Sequence, residues 1–336
     1  MDRDGRYDNR YNHKRAALIY WPSEEPEGFF LQETAMAAHN NARDSIAILG
    51  LGKVGRAVGY LLRSAGYEIR AVAGHSPQRL REGARFTGGA IFTDFTAAAS
   101  LTDCIFITTT DDAIASVCLE ITRGGAIRPG KKVIHMSGAG SLALLAPASQ
   151  AGAHVACIHP LQSFATVEEA IKNIPGSTFG ITAASPEIKS WSEQVVLDLR
   201  GTPFSVSDED KPLYHAAACL ASNYFTTLMH SVTTIYGTLG MTPAEALKAF
   251  WPLVRGTVHN IETMGTVQAL TGPISRGDAG TVAKHLAALR ERLPDLLPLY
   301  CEMGIQTIAL GLEKNTLSPE KADTIKTLLK GGPEHG

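Results

Sequence analysis

The fold of this 336-residue chain is decided by the stretch Ser45-Ile46-Ala47-Ile48-Leu49-Gly50-Leu51-Gly52-Lys53-Val54-Gly55-Arg56-Ala57-Val58. An apolar, β-branched run leads into the spacing G-x-G-x-x-G, and apolar residues at helical intervals follow it. Strand, glycine turn and helix in this order are typical of a dinucleotide-binding unit. Gly50 permits the tight turn, Gly52 lets the backbone approach a pyrophosphate, and Gly55 lets the helix pack closely on the sheet.

The turn also offers groups that bind phosphate. Free backbone N–H groups and the positive end of the helix dipole would face the pyrophosphate. We therefore predict that the whole turn binds a dinucleotide, with Leu51, Lys53 and Val54 in contact beside the glycines. A glycine turn that only shapes the chain is the alternative, because G-x-G-x-x-G alone also occurs by chance.

The residues after the next predicted strand, 68–73, indicate which dinucleotide is bound. NAD sites usually place Asp or Glu at the carboxyl end of that strand, whereas this chain has Gly74 followed by His75, Ser76 and, three residues on, Arg79. An imidazole, a hydroxyl and a guanidinium suit a 2′-phosphate. We therefore expect NADP (NADPH) rather than NAD. The alternative is that Ser76 only begins a helix whose arginines face water.

Composition is that of an ordinary enzyme. Hydrophobic residues make up 44 % of the chain and the net charge is −2, so no basic surface for nucleic acid or an anionic membrane is expected. No apolar run is long enough to span a bilayer. The five cysteines are scattered without metal-type spacing, so we expect no metal site, a reducing compartment and a cytoplasmic protein.

The chain divides into three predicted parts. Residues 1–43 are polar and broken by prolines, which favours a disordered extension or a mis-called start. Docking of this segment onto the folded body through Trp21, Phe29 and Phe30 is the alternative. Residues 44–206 are predicted to form a Rossmann dinucleotide-binding domain, and residues 207–331 a helical domain for substrate binding and dimerisation.

Strand and helix signals alternate through the first domain, which predicts an α/β fold with a doubly wound parallel sheet. After the first two strands, we predict strands at 89–92, 104–108, 132–136 and 154–158. Ligands bind beyond the carboxyl ends of such strands. We therefore expect Thr109, Thr110 and Asp112 beside the ribose and nicotinamide, although Thr110 could equally be a helix N-cap.

Two histidines are expected near the same sheet edge. His135 ends one predicted strand, with Ser137 just beyond it, and His159 follows the next strand. A histidine there can hydrogen-bond a carbonyl or donate a proton near neutral pH. For either histidine alone, a satisfied structural residue is the alternative.

Helical patterns dominate beyond Ser207. Lys211, His215, Cys219 and Ser222 share one helix face by their spacing, and Asn223 lies further round it. His215 and Asn223 could instead satisfy buried backbone groups. Further along, Arg276 and Asp278 lie in a Gly/Pro-punctuated loop. Arg276 could clamp a substrate carboxylate, or the two residues could pair and cap the next helix.

Five motifs together resemble proteins that join a Rossmann-like domain to domain of unknown function 2520. The motifs, which span roughly residues 44–312, are Gly50-x-Gly52-x-x-Gly55, His135-x-Ser137-Gly138, His159-Pro160-Leu161-Gln162-Ser163-Phe164, His215-Ala216-Ala217-Ala218 with Ser222-Asn223, and Leu270-Thr271-Gly272-Pro273-Ile274-x-Arg276-Gly277-Asp278. The resemblance implies a Rossmann domain followed by a helical domain, as in 6-phosphogluconate dehydrogenases, pyrroline-5-carboxylate reductases and prephenate dehydrogenases. It also implies NAD(P) as cofactor and a homodimer built through the helical domain.

The chain departs from the family pattern in one place. A Pro-Asp step is expected after the fourth strand, where this chain has Thr110-Asp111. Some members of the family are associated with ketopantoate reduction.

We therefore expect an NADP-dependent oxidoreductase that reduces a small carbonyl or imine, such as the 2-keto acid ketopantoate, in a cleft between the domains. His159 and His215 are the candidate proton donors, Ser137 and Asn223 would orient the carbonyl, and Arg276 would hold a carboxylate. An NADP(H)-binding sensor or scaffold without turnover is the alternative. A third hypothesis is binding of S-adenosylmethionine. Such sites also favour Asp or Glu at the end of the second strand, where this chain has neither.

Overall fold

The computed structural model describes residues 43–331, which form one compact unit. The predicted extension at residues 1–43 therefore lies outside the described residues, apart from Arg43. An eight-stranded sheet occupies the first part of the chain. Its strands are β1 (Ser45–Leu49), β2 (Glu68–Ala73), β3 (Ala90–Phe92), β4 (Cys104–Ile107), β5 (Lys132–His135), β6 (His154–Pro160), β7 (Thr178–Ala183) and β8 (Thr202–Ser205).

The strand order is that of a Rossmann fold. The sheet runs β3-β2-β1-β4-β5-β6-β7-β8, and the first six strands are parallel. The order reverses between β1 and β4, which is where dinucleotides bind in such sheets. The predicted α/β fold class is thereby confirmed.

The last two strands were not predicted from the sequence. β7 runs antiparallel to β6 and pairs His159 with Gly180, and β8 is parallel to β7. Gly180 lies within β7 and Pro203 within the edge strand β8, and both residue types weaken a strand pattern. This pairing extends β6 to Pro160, so the expectation that His159 follows the strand is wrong: it lies within β6.

Helices cover both faces of the sheet. They are α1 (Lys53–Ser64), α2 (Pro77–Thr87), α3 (Phe95–Ser100), α4 (Asp111–Arg123), α5 (Ala146–Gln150), α6 (Val167–Asn173) and α7 (Pro186–Asp198). Successive β1 residues supply the two cores, because a strand's side chains alternate between its faces: Ile46 and Ile48 pack on one face, Ala47 and Leu49 on the other.

Every regular element from Lys211 onward is helical. These elements are α8 (Lys211–Cys219), α9 (Phe225–Thr238), α10 (Pro243–Ala269), α11 (Pro273–Arg276), α12 (Ala279–Arg292), α13 (Leu297–Glu313) and α14 (Pro319–Leu329), with a π-helical turn at Leu220–Tyr224 that joins α8 to α9. A separate apolar core forms here around Ile274, Val282 and Ile325. Among residues 43–331, no helix combines the length and apolarity needed to cross a bilayer.

Candidate active site

A cleft of about 650 Å³ opens at the carboxyl ends of β1, β2 and β4. Of the twelve residues predicted to bind the cofactor, ten line it: Gly50, Leu51, Gly52, Lys53, Val54, His75, Ser76, Arg79, Thr109 and Thr110. The structure therefore brings together the glycine turn, the residues after β2 and the turn after β4. These three segments are separate in the chain and meet only because their strands are neighbours.

The glycine turn has the geometry that phosphate binding needs. Gly50 has φ +105°, which favours glycine. Gly52 is the N-cap of α1 without a side-chain cap bond, and a Cβ there would meet nothing within 4 Å. The first-turn N–H groups of α1 thus have no capping side chain. An anion at this helix N-terminus would satisfy them.

Gly55 serves packing and does not line the cleft. A Cβ at this position would lie 2.5 Å from Thr108 Oγ1 and closer to the Gly50 carbonyl oxygen. Thr108 Oγ1 itself donates a hydrogen bond of 2.6 Å to that carbonyl. The third glycine therefore lets α1 begin directly against the turn.

The residues after β2 face the same cleft. Ser76 is the N-cap of α2 and accepts a hydrogen bond from the Arg79 backbone N–H. Ser76 therefore does begin a helix, as the alternative predicted, and the binding of a 2′-phosphate by Ser76 and Arg79 stays a prediction. Arg56, which the sequence analysis did not select, bridges the two segments: Nε donates to the Leu51 carbonyl and Nη2 to the Arg79 carbonyl, each at 3.0 Å.

The turn after β4 carries an unpartnered hydroxyl. Thr109 Oγ1 is buried without a hydrogen-bond partner among the described residues, and Thr109 lines the cleft. Thr110 has φ −62°, the angle that proline imposes, so the turn suits the Pro-Asp step expected from the family. Asp112, in the first turn of α4, lies outside the cleft lining.

One face of α4 also lines the cleft and was missed. Ala113, Ser116, Val117 and Glu120 lie there at spacings of three and four residues, a helical periodicity readable in the sequence. The other lining residues that the sequence analysis missed are Gly74, Leu80, Phe95, Thr108 and Phe164.

Two of the predicted catalytic residues meet at Gly138, just beyond β5. A Cβ on Gly138 would lie 2.9 Å from His159 Nε2 and closer still to His215 Nδ1. The two imidazole rings meet edge to face with centroids 5.7 Å apart. His215 Nδ1 is buried and has no hydrogen-bond partner in residues 43–331. The pair therefore presents two ring nitrogens to one small space.

The protonation of His159 follows from its surroundings. Burial, and then His215 and Lys211, lower the pKa of His159 to about 4. The imidazole is thus neutral at pH 7, with one N–H. Its Nδ1 lies 3.0 Å from the hydroxyl oxygen of Tyr214 on α8, a residue that the sequence analysis did not select. At neutral pH His159 can donate a hydrogen bond, but it is not an imidazolium.

Lys211 supports the turn that carries Gly138. Its side chain is buried, and Nζ donates to the Ser137 carbonyl at 3.1 Å and to Cys157 Sγ at 3.0 Å. Burial raises the pKa of Cys157 to about 11 despite the nearby Lys211. The predicted shared face of Lys211 and His215 agrees with this geometry, because both side chains reach the segment 137–138.

His135 and Ser137 both make hydrogen bonds around the loop after β5, although His135 Nε2 is buried without a partner among residues 43–331. His135 is fully buried, its Nδ1 accepts from the Ser137 N–H at 3.2 Å, and burial followed by Lys211 lowers its pKa to about 3. Ser137 Oγ donates to Asp111 Oδ2 at 2.7 Å and accepts from the Gly140 N–H at 2.8 Å. This hydroxyl therefore ties the start of α4 to the loop after β5.

Among the described residues, no hydrogen bond connects Asn223 or Arg276 to the histidine pair. Asn223 lies in the π-helical turn and is exposed. This turn breaks the α-helical phase, so the face predicted to continue from His215 to Ser222 ends there. Arg276 is the exposed last residue of α11, and Asp278 caps α12 by accepting from the Thr281 N–H.

Comparisons with known proteins agree with this architecture. Residues 31–160 match the model of the Rossmann-like domain, and residues 177–307 match the model of the domain of unknown function DUF2520. No curated protein matches the chain significantly in sequence.

Similar solved structures extend over most of the chain. A Bacteroides fragilis protein, provisionally assigned as an NADP oxidoreductase, has a TM-score of 0.66 at 19 % identity and covers 80 % of this chain and 98 % of its own. A Thermotoga maritima protein scores 0.60 at 23 % identity, covering 80 % and 99 %. The pyrroline carboxylate reductase of Plasmodium falciparum, solved with NADP bound, scores 0.53 at 14 % identity, covering 82 % and 98 %. At these identities the likeness shows a shared fold.

Proposed function

Since the chain belongs to the family that joins a Rossmann-like domain to a DUF2520 domain, we propose that it is an NADPH-dependent reductase of a small carbonyl or imine. The observation that carries the proposal is the convergence of His159 Nε2 and His215 Nδ1 at Gly138. A hydrogen bond from Ser137 to Asp111 connects this cluster to the cofactor cleft. Ser137 precedes Gly138 in the chain, and Asp111 follows Thr110, which lines the cleft.

The residues present fit a dinucleotide with a 2′-phosphate. Backbone N–H groups from the Gly52–Val54 segment would hold the pyrophosphate, and Ser76 with Arg79 would hold the 2′-phosphate. The unpartnered Thr109 hydroxyl is available to a ribose. When bound, NADPH supplies the hydride. Pyrroline carboxylate reductases and a reductive aminase share the fold.

The two histidines would act on the substrate atom that gains the proton. Neutral His159 would donate a hydrogen bond to the carbonyl oxygen or imine nitrogen, and His215 would transfer the proton. Ser137 would support them through the turn, since its hydroxyl is already bonded at both ends. Contact of Arg276 and Asn223 with the substrate remains a prediction from the sequence.

A homodimer is the second part of the proposal. Exposed apolar side chains lie along α8, the π-helical turn and α10 and at the end of α9, and they include Leu213, Leu220, Tyr224, Leu239, Leu253 and Met264. A monomer rarely leaves so many in one region, and a second copy of the same surface would cover them. In such a dimer, the exposed Asn223 would lie at or near the interface.

Turnover tests the proposal directly. NADPH oxidation is followed by its near-ultraviolet absorbance with ketopantoate, other small 2-keto acids and cyclic imines. His159→Gln and His215→Gln should each lower kcat by about 10²- to 10⁴-fold while NADPH affinity is retained. His285 on α12 is hydrogen-bonded to Tyr300 on α13. His285→Gln is therefore the matched control and should keep full turnover.

Two results would contradict different parts of the proposal. Full turnover in both histidine variants would remove their assigned roles. No turnover with any substrate, in protein shown to bind NADPH, would favour the sensor or scaffold hypothesis.

Cofactor choice has its own test. Arg79→Ala should weaken NADPH binding by about 10- to 100-fold, the loss of one or two charge-assisted hydrogen bonds, and leave NADH binding unchanged. Arg85→Ala removes a guanidinium from the same helix outside the cleft lining and serves as the control. Equal losses for NADPH and NADH would show that Arg79 does not bind the 2′-phosphate.

A further inference from the structure

We propose that Tyr214 is a positioning residue that holds the proton of His159 on Nε2, so that His159 presents an N–H donor at Gly138. The catalytic value of this donor rests on the proposed function. The proton position itself is a property of the folded chain and can be measured without a substrate.

The contact between the two side chains is specific. The Tyr214 hydroxyl oxygen lies 3.0 Å from His159 Nδ1, and the two rings stand at 88° with centroids 5.6 Å apart. The ring nitrogen is therefore met by the hydroxyl, while the phenol ring packs edge to face with the imidazole. A hydrogen bond of this length needs one donor, and the direction of donation decides the tautomer of the histidine.

The surroundings of the phenol oxygen decide that direction. Burial, and then Cys157, raise the pKa of Tyr214 to about 12. The hydroxyl keeps its proton at neutral pH, and His159 Nδ1 is the one acceptor bonded to it in residues 43–331. Tyr214 therefore donates to Nδ1, and the imidazole proton occupies Nε2.

The opposite arrangement leaves the Tyr214 proton without an acceptor. If His159 Nδ1–H donated to the phenol oxygen, the Tyr214 hydroxyl proton would have no acceptor among the described residues. A donor without a partner in a part-buried site is unfavourable. His159 Nε2 would then be a bare acceptor at Gly138, unable to donate to a carbonyl oxygen.

The fold makes room for this pair through a second glycine. Gly180 lies on β7 opposite His159 on β6. A Cβ on Gly180 would lie 2.7 Å from the Tyr214 hydroxyl oxygen and 2.8 Å from its Cζ. The phenol head can therefore lie against β7 and reach Nδ1 only because residue 180 has no side chain.

The consequence lies at the other ring nitrogen. Nε2–H of His159 faces the space beside Gly138, where the unpartnered His215 Nδ1 also lies. A carbonyl oxygen or imine nitrogen placed there would accept from His159, and the donor would be fixed before the substrate arrives. Fixed donors aimed at developing charge need no reorganisation during the reaction.

The test is the tautomer of His159, read from ¹⁵N NMR of the imidazole in the labelled full-length protein at pH 7. In the wild type, Nε2 should carry the proton and Nδ1 should show the signal of an unprotonated nitrogen. In Tyr214→Phe, the two nitrogens should move toward a mixture of tautomers. Tyr300→Phe removes an equivalent hydroxyl, bonded to His285 Nδ1 at 2.8 Å, and should leave the His159 signals unchanged.

Turnover adds the functional readout. With an accepted substrate, Tyr214→Phe should lower kcat by about two- to tenfold, as expected for one weakened hydrogen bond, with NADPH affinity unchanged. A proton on Nδ1 in the wild type, or identical His159 signals in wild type and Tyr214→Phe, would overturn the inference. Absence of any turnover in the wild type would instead count against the proposed function and leave the tautomer result to stand.

Discussion

A missing side chain at residue 138 is what allows the two histidines to meet. Gly138 has no positive φ, so its requirement is for space and not for backbone freedom. His159 comes from the sheet and His215 from α8, and their ring nitrogens approach the position that a Cβ would fill. The candidate chemistry thus depends on a residue that carries no functional group.

We expect Gly138→Ala to displace one or both imidazoles and to lower kcat by at least about tenfold, because a misplaced catalytic group loses most of its effect. NADPH affinity should be retained, since residue 138 does not line the cofactor cleft. Steady-state kinetics and NADPH titration measure the two effects. Gly280→Ala, at a position where a Cβ meets only Asp278 at 3.8 Å, is the control. Unchanged kcat in Gly138→Ala would contradict the role of the pair.

His135 and His159 also predict how stability depends on pH. The pKa values of His135 and His159 are lowered to about 3 and about 4 in the folded chain, whereas the unfolded chain titrates near 6.5. As pH falls below 6.5 the unfolded chain binds protons that the folded chain does not. The free energy of unfolding should therefore decrease, by ~1–2 kcal/mol per histidine between pH 7 and pH 5.

Urea unfolding at the two pH values measures this loss. In His159→Gln, the free energy of unfolding should decrease less between pH 7 and pH 5 than in the wild type. The difference should equal the contribution of His159, ~1–2 kcal/mol. An equal decrease in both proteins would show that His159 titrates normally in the folded chain.

Among the elements, α4 and the loop after β5 are joined by one side-chain bond. Ser137 Oγ donates to Asp111 at the start of α4 and accepts from the Gly140 N–H. This bond links the cofactor cleft, which α4 lines, to the histidine pair. The relative placement of the two parts of the site therefore depends on a polar contact between residues 26 positions apart.

Ser137→Ala should lower the free energy of unfolding by ~0.5–1.5 kcal/mol, because it removes one hydrogen bond to the exposed Asp111 carboxylate and leaves the Gly140 N–H without its partner. Urea unfolding measures this effect. Ser100→Ala removes an exposed hydroxyl bonded to the Thr96 carbonyl and should change stability by less. Unchanged stability together with a raised KM would show instead that Ser137 binds the substrate.

At the scale of the whole molecule, the two halves of the chain differ in how much apolar surface they expose. The sheet has two extensive cores on its two faces, while many large apolar side chains on α8, α9 and α10 are exposed. A helix that leaves its apolar face uncovered gains little from folding alone. In the proposed homodimer, a second copy would cover this exposed apolar surface.

We expect Leu253→Glu to convert a dimer into a monomer, because Leu253 is 72 % exposed in the single chain and a carboxylate would be buried in the interface. Light scattering after size-exclusion chromatography measures the mass. Leu197→Glu, on the sheet-side helix α7 and 54 % exposed, is the control and should leave the mass unchanged. A monomeric wild type would contradict the proposed homodimer.

Local pattern determined much of this protein. Hydrophobic periodicity and the glycine spacing predicted six of the eight strands and the fold class, because these features depend on near neighbours in the chain. The same reasoning predicted twelve residues to bind the cofactor, and ten of them line one cleft, since the strand order of a Rossmann sheet brings known strand ends together. The π-helical turn, by contrast, broke the predicted helical face beyond Cys219.

Only the tertiary structure decided which side chains touch. Tyr214 reaches His159 across 55 residues, and Arg56 reaches the Arg79 carbonyl across 23. Gly138 and Gly180 matter because side chains from distant elements fill the space beside them. Sequence spacing specifies the direction of a side chain along its own helix or strand, but contacts between elements depend on how those elements pack.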